Sequence, residues 1–121
     1  MEVGDEMIPL FDLNFDHNEI DAVVSTLKSK WISMGPRVEE FENKFSEKLE
    51  IDFALAVNNC TAALALSLQT VGIQPGDEVI IPSLTFVATA NAVLQVGATP
   101  IFADITSKDD WTLSTQDTLS K

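Results

Sequence analysis

Two short polar loops hold the side chains best placed to do chemistry: Asn58-Asn59-Cys60-Thr61 and Ser83-Leu84-Thr85. Each follows an apolar run of strand length and precedes an apolar segment of helix length. Each should therefore open a helix whose first backbone N–H groups are unpaired and whose dipole end is positive, which is a ready anion site. Thr61 adds a hydroxyl donor to that arrangement. Asn58 to Thr61 is thus a candidate phosphate cradle. The same residues suit an ordinary helix cap, and no lysine follows them as one does in a P-loop. Cys60 at a helix start is also a candidate nucleophile. The sole histidine, His17, is far away in sequence, so neither a thiol–imidazole pair nor a metal-ligand spacing is present.

The elements that must position these loops run from Phe53 to Asp104 as two consecutive strand–helix–strand units. Phe53 to Val57 is a continuous apolar run suited to a strand buried on both faces. Ala62 to Val71 is rich in helix formers, and Gly72 stands where a left-handed residue would end that helix. Pro75-Gly76-Asp77 is a turn, with proline at its second position and glycine at its third. Val79 to Ile81 is β-branched and is ended by Pro82. Phe86 to Val96 is a second helix closed by Gly97, and Pro100 to Ala103 a third strand with Asp104 at its end. The product is a piece of parallel sheet. Such sheets place ligands outside the carboxyl ends of their strands, so both loops should open onto one rim.

Upstream, Ile8 to Asp12 reads as an extended opening segment. Asp16 and Glu19 form a capping pattern, and Ile20, Val23, Val24 and Leu27 give the helix that follows an apolar face ending near Lys30. The loop Trp31 to Pro36 leads to a second amphipathic helix, with Pro36 near its first position, Glu39 and Glu40 in its first turn, and Val38, Phe41, Phe45 and Leu49 on one face. Thr106 to Asp110 is polar. Ser114 to Asp117 repeats the capping pattern only a few residues before Lys121, and so short a helix is marginal alone. The expectation is an N-terminal portion of a larger domain.

The chain has 121 residues and a formal net charge of −12, from 7 basic and 19 acidic residues. With no basic stripe to neutralise phosphates, it is expected to have neither a nucleic-acid nor an anionic-membrane partner. A hydrophobic content of 45% indicates a globular chain. No apolar run reaches the roughly 18 residues that span a bilayer, and the N-terminus lacks the basic and apolar regions of a signal peptide. A single cysteine agrees with a reducing compartment, and the expected localisation is cytoplasmic.

Four ordered motifs, W-I-S-M-G-P, N-N-C-T-A-A-L, P-G-D-E-V-I-I-P-S-L-T-F-V-A-T-A-N-A and G-A-T-P-I-F-A-D-I, together resemble the opening of the DegT/StrS group of pyridoxal-phosphate-dependent sugar aminotransferases. The resemblance runs from about Ile8 to the C-terminus. It implies the first part of an α/β large domain, a parallel-sheet αβα layer structure of the aspartate-aminotransferase-like fold, in a homodimer. The implied cofactor is pyridoxal 5'-phosphate. The implied reaction moves an amino group, usually from glutamate, to a keto group on a nucleotide-linked sugar.

By position, the resemblance gives Cys60 and Thr61 the phosphate of the cofactor, held through backbone amides and the threonine hydroxyl, and gives Phe86 the aromatic ring that stacks on the pyridine. Ser33, Met34 and Gly35 match a loop near the active site, in which many relatives carry threonine or serine at the position of Met34. Cys60 stands where relatives have glycine or alanine, so its side chain is tolerated only where the backbone does not need φ > 0. The family's Schiff-base lysine, and the aspartate that pairs with the pyridinium nitrogen, match nothing here, Lys121 included. The 121 residues alone are therefore expected to be inactive. Two other readings stay open: a sugar dehydratase of the same family, with histidine in place of that lysine, and a non-catalytic doubly wound nucleotide-binding module. The absence of G-x-G-x-x-G weighs against the second.

Overall fold

A computed structural model describes residues 11–121, so Ile8 to Leu10 of the expected opening segment lie outside the described residues. The chain divides into two compact units, one ending at Ala56 and the other spanning Val57–Lys121.

In the first unit, helix α1 covers His17–Ser29 and helix α2 covers Pro36–Leu49. The capping box expected at α1 is present. The Asp16 side chain accepts the Asn18 N–H at 2.6 Å, and the Glu19 carboxylate accepts the Asp16 N–H at 2.8 Å. Both helices end on non-glycine residues in the left-handed region, Lys30 at φ 62° and Glu50 at φ 55°. Pro36 occupies the first turn of α2, where its missing N–H costs nothing. Neither helix buries a residue within this unit, and Ile20, Val23, Leu27, Phe41, Phe45 and Leu49 are all exposed. The Phe41 and Phe45 rings meet at 5.7 Å between centroids in a tilted pair.

The second unit begins with helix α3, Cys60–Thr70, followed by strand β1, Glu78–Pro82, helix α4, Ala88–Gln95, strand β2, Thr99–Ala103, and the short helix α5, Thr115–Thr118. β1 and β2 pair in parallel, with Glu78 opposite Thr99 and Pro82 opposite Ala103. The β1–α4–β2 crossover is the expected strand–helix–strand unit. Gly72 (φ +88°) and Gly97 (φ +81°) both adopt the left-handed conformation that stops a helix, as expected. Ala65 of α3, Ala92 and Val93 of α4, Ile81 of β1, and Val96 and Ala98 make the core, with Leu68 and Val79 partly buried against it. Burying Ile81 and Val93 contributes about 1.5–3 kcal/mol each.

The α/β class expected from the sequence is present in part, as two layers: α3 and α4 cover the Val79–Ile81 face of β1. Ile80, which the pleat turns to the opposite face, is 38% exposed.

The strand expected at Phe53 to Val57 is not formed. The segment belongs to no sheet, and Phe53 and Leu55 are 89% and 78% exposed. A continuous apolar run marks a segment that must be buried, but only a hydrogen-bonding neighbour makes it a strand, and none pairs with it among the described residues. One long-range tie holds its end: the Glu42 carboxylate accepts the Ala56 N–H at 2.7 Å.

Candidate functional site

The candidate cradle forms at the start of α3. Asn59 is the N-cap, in extended conformation, and its side-chain oxygen accepts the Ala62 N–H at 2.8 Å, while its carbonyl accepts the Ala63 N–H at 3.2 Å. Cys60 and Thr61 are the first two helical residues. Their N–H groups and the Thr61 hydroxyl have no acceptor among the described residues. Three unpaired donors therefore lie in the first turn, at the positive end of an eleven-residue helix, where an anion is favoured. Cys60 is exposed and outside the left-handed region, so its Cβ brings no backbone strain there.

α3 leads into β1 through the Gln74–Asp77 turn, and its Ala65 and Leu68 share one core cluster with Val79 and Ile81 of β1. α4 leaves β1 at the carboxyl rim of the sheet through Ser83 to Val87. The Ser83 N–H extends the ladder by donating to the Ala103 carbonyl at 2.8 Å, and the Thr85 and Thr89 hydroxyls lie 3.2 Å apart. Phe86 precedes α4 by two residues rather than opening it, with its carbonyl accepting the Thr89 N–H at 3.0 Å. Its ring is 78% exposed, so it is no core residue of this unit. Thr61 in the first turn of α3 and Phe86 two residues ahead of α4 therefore belong to neighbouring helices that pack together.

Ser33, Met34 and Gly35 belong to the first unit, between α1 and α2. The Met34 carbonyl accepts the Trp31 indole N–H at 3.0 Å, and the Gly35 carbonyl accepts the Val38 and Glu39 N–H groups at 2.9 and 3.1 Å. Trp31, Ile32, Ser33, Gly35 and Arg37 line an open groove of about 410 Å³. Arg37 is itself paired with Glu40 at 3.0 Å.

Asp104, the residue after β2, is occupied locally. Its N–H donates to Asp117 Oδ2 at 2.7 Å, its carbonyl accepts the Ser114 N–H at 2.9 Å, and its own carboxylate accepts the Ile105 N–H at 2.8 Å. Lys121 Nζ lies 3.5 Å from Asp117 Oδ1. Asn59 is the residue that sequence reasoning left inside the polar loop. The signal for it was present, since asparagine three residues before a helix-forming run is a preferred N-cap.

A parallel β–α–β unit with a second helix packed on its crossover helix is the architecture of an α/β protein. The chain belongs to the DegT/DnrJ/EryC1/StrS aminotransferase family, whose pattern it matches over residues 14–118. It is 54% identical over 87 residues to the spore coat polysaccharide biosynthesis protein SpsC of Bacillus subtilis, a match covering 72% of this chain and 22% of that protein. It is 42% identical over 111 residues to the GDP-perosamine synthase of Escherichia coli O157:H7, covering 91% of this chain and 30% of the synthase. Among solved structures, it is similar to the Streptococcus pneumoniae protein Spr1654, a sugar aminotransferase by its description, in its PMP form. That similarity has a TM-score of 0.83 at 34% identity, covering 93% of this chain and 28% of that one. The fold is a part of the aspartate-aminotransferase-like α/β fold, and the chain spans between a fifth and a third of the length of these relatives. Among the described residues, no helix is long and apolar enough to cross a membrane.

Proposed function

We propose that this chain forms the N-terminal part of the large domain of a pyridoxal-phosphate-dependent aminotransferase that aminates a keto group on a nucleotide-linked sugar, with glutamate as amino donor. The observation that carries this reading is the first turn of α3, where the Cys60 and Thr61 N–H groups and the Thr61 hydroxyl have no acceptor among the described residues. The match over residues 14–118 includes that turn. A phosphate fits it: Asn59 satisfies the Ala62 N–H, and the donors ahead of it are left for an anion.

In this reading Cys60 and Thr61 hold the cofactor phosphate, and Phe86 offers its exposed ring to the pyridine. When bound, the cofactor supplies an electron sink for moving an amino group between carbon skeletons. The residues of this chain bind and orient it. The helix dipole and two amides fix the phosphate end, and the ring restricts tilt about that anchor. Ser33, Met34 and Gly35 form the substrate loop. The protein is further read as a cytoplasmic homodimer without nucleic-acid or membrane partners.

The dehydratase alternative has less support. Relatives described as GDP-perosamine synthase and as a dTDP-sugar 4-aminotransferase align over 91% and 82% of the chain at 42% identity. A solved GDP-4-keto-6-deoxymannose-3-dehydratase is 28% identical over 80% of it.

The test is to supply the full-length protein containing these residues with pyridoxal phosphate, glutamate and GDP- or dTDP-linked 4-keto sugars, and to identify products by mass. An amino sugar formed in step with 2-oxoglutarate is the expected outcome. Loss of water from the sugar without retained nitrogen would establish the dehydratase instead, and cofactor binding without either product would leave the binding module.

A further inference from the structure

The contact between Trp31 and Gly35 gives the tryptophan a role that the four motifs alone do not assign. The indole N–H donates to the Met34 carbonyl at 3.0 Å, and the Trp31 backbone N–H donates to the Ser29 hydroxyl at 3.2 Å at the end of α1. The ring also fills the space in which a side chain at position 35 would lie. A Cβ added to Gly35 would sit 2.6 Å from Cε2 and 2.9 Å from Cδ1 of Trp31, and closer still to Nε1. Real Cβ atoms do not approach that closely, so ring and glycine are mutually dependent. Gly35 has φ 173°, an extended conformation open to any residue, so glycine is required by the indole and not by the backbone.

Around this contact the loop is fixed at both ends. Ser29 and Trp31 hold it to α1, and the Gly35 carbonyl holds it to the first turn of α2. Between these anchors Ser33 is exposed and its hydroxyl has no partner among the described residues.

We propose that Trp31 is a positioning residue for the keto-sugar. Its indole clamps the Met34 carbonyl and the Gly35 backbone so that Ser33 and Met34 are presented to the sugar in one preformed arrangement. The inference rests on the reading of Ser33 to Gly35 as the substrate loop. A preformed loop loses less freedom when substrate binds, so its loosening raises the substrate concentration needed rather than weakening the hold on the cofactor.

The experiment is a double-mutant cycle in the full-length enzyme, with KM for the keto-sugar, kcat, cofactor affinity and Tm measured for each variant. Trp31→Phe keeps a ring but removes the N–H donor. It should raise KM by about three- to tenfold, as expected for the loss of one hydrogen bond, with cofactor affinity unchanged. Gly35→Ala should raise KM further in the Trp31 background and lower Tm. In the Trp31→Leu background the same alanine should cost less, because the atoms it would strike have gone. An active wild type whose KM is unmoved by Trp31→Phe would overturn the inference and leave the aminotransferase reading standing. An equal cost of Gly35→Ala on both backgrounds would do the same. A wild type that aminates no nucleotide-linked keto-sugar would overturn both.

Discussion

The Asp117 carboxylate accepts the backbone N–H of Asp104 at 2.7 Å, tying the residue after β2 to the first turn of α5 across thirteen positions of sequence. This bond is the largest of the influences holding the Asp117 carboxyl below its usual value. Burial opposes it, while Lys121, through its charge and a hydrogen bond, and Ser120 assist it. A carboxyl whose value is lowered by folding stabilises the fold above its unfolded pKa, and that contribution is lost as the pH falls through the folded value. The window therefore lies below about pH 4. Asp117→Asn should speed amide exchange at Asp104 near neutral pH, and the difference from wild type should shrink below pH 4. A difference that is independent of pH would show that the charge of Asp117 does not matter to this tie.

Gly97 ends α4 at φ +81°, and a Cβ there would meet Pro75 Cγ at 2.8 Å and Cβ at 3.2 Å. Gly97→Ala therefore suffers twice, from the left-handed backbone and from contact with a rigid ring. The backbone alone costs about 1–2 kcal/mol, so denaturant unfolding should show at least that loss. Gly72, at φ +88°, has nothing near its missing side chain, and Gly72→Ala should show the backbone cost alone. Equal losses at the two sites would mean that Pro75 gives way.

What was legible in the sequence was local. The Asp16–Glu19 box, Pro36 at the start of α2, Gly72 and Gly97, and the β-branched run of β1 each depend on neighbours within four residues, and each is where it was expected. The Phe53 to Val57 run failed as a strand because pairing is a property of two segments. The Trp31–Gly35 contact was hidden for a different reason: four residues are close in sequence, but which way an indole turns in a loop is set by packing. At the candidate site, the helix start with its unpaired donors followed from composition and position, whereas Phe86 as a stacking ring came from resemblance alone. The structure adds that the ring is exposed, just ahead of α4.

The isolated 121-residue chain should self-associate. Among the described residues its sheet has two strands and two open edges, and α1 and α2 bury no residue. Open edges and uncovered apolar faces both favour association, and a two-stranded sheet is marginal by itself. Sedimentation should show oligomers whose proportion grows with concentration. The same preparation should aminate no keto-sugar, since it spans only 22% and 30% of the length of the SpsC protein and the perosamine synthase it resembles. A compact, stable monomer at high concentration would contradict the first expectation, and glutamate-dependent amination the second.

Thr61 is the sharpest test of where the cofactor phosphate lies, because its hydroxyl can be removed with almost no change of shape. Thr61→Val keeps the branched side chain at the second position of α3 and deletes one of the three unpaired donors, leaving the backbone amides in place. A hydrogen bond to a charged group is worth roughly 1.5 to 3 kcal/mol, so cofactor affinity of the full-length protein should fall by about tenfold or more. Thr61→Ser retains the donor and should keep most of the affinity. In the proposed site, Phe86→Leu acts on the other end of the cofactor. It should weaken binding of pyridoxal phosphate and of free pyridoxal by the same factor, whereas Thr61→Val should weaken the phosphorylated form alone. Titrations with both ligands separate the two effects. Unchanged affinity in Thr61→Val, with preference for the phosphorylated ligand intact, would place the phosphate away from the start of α3.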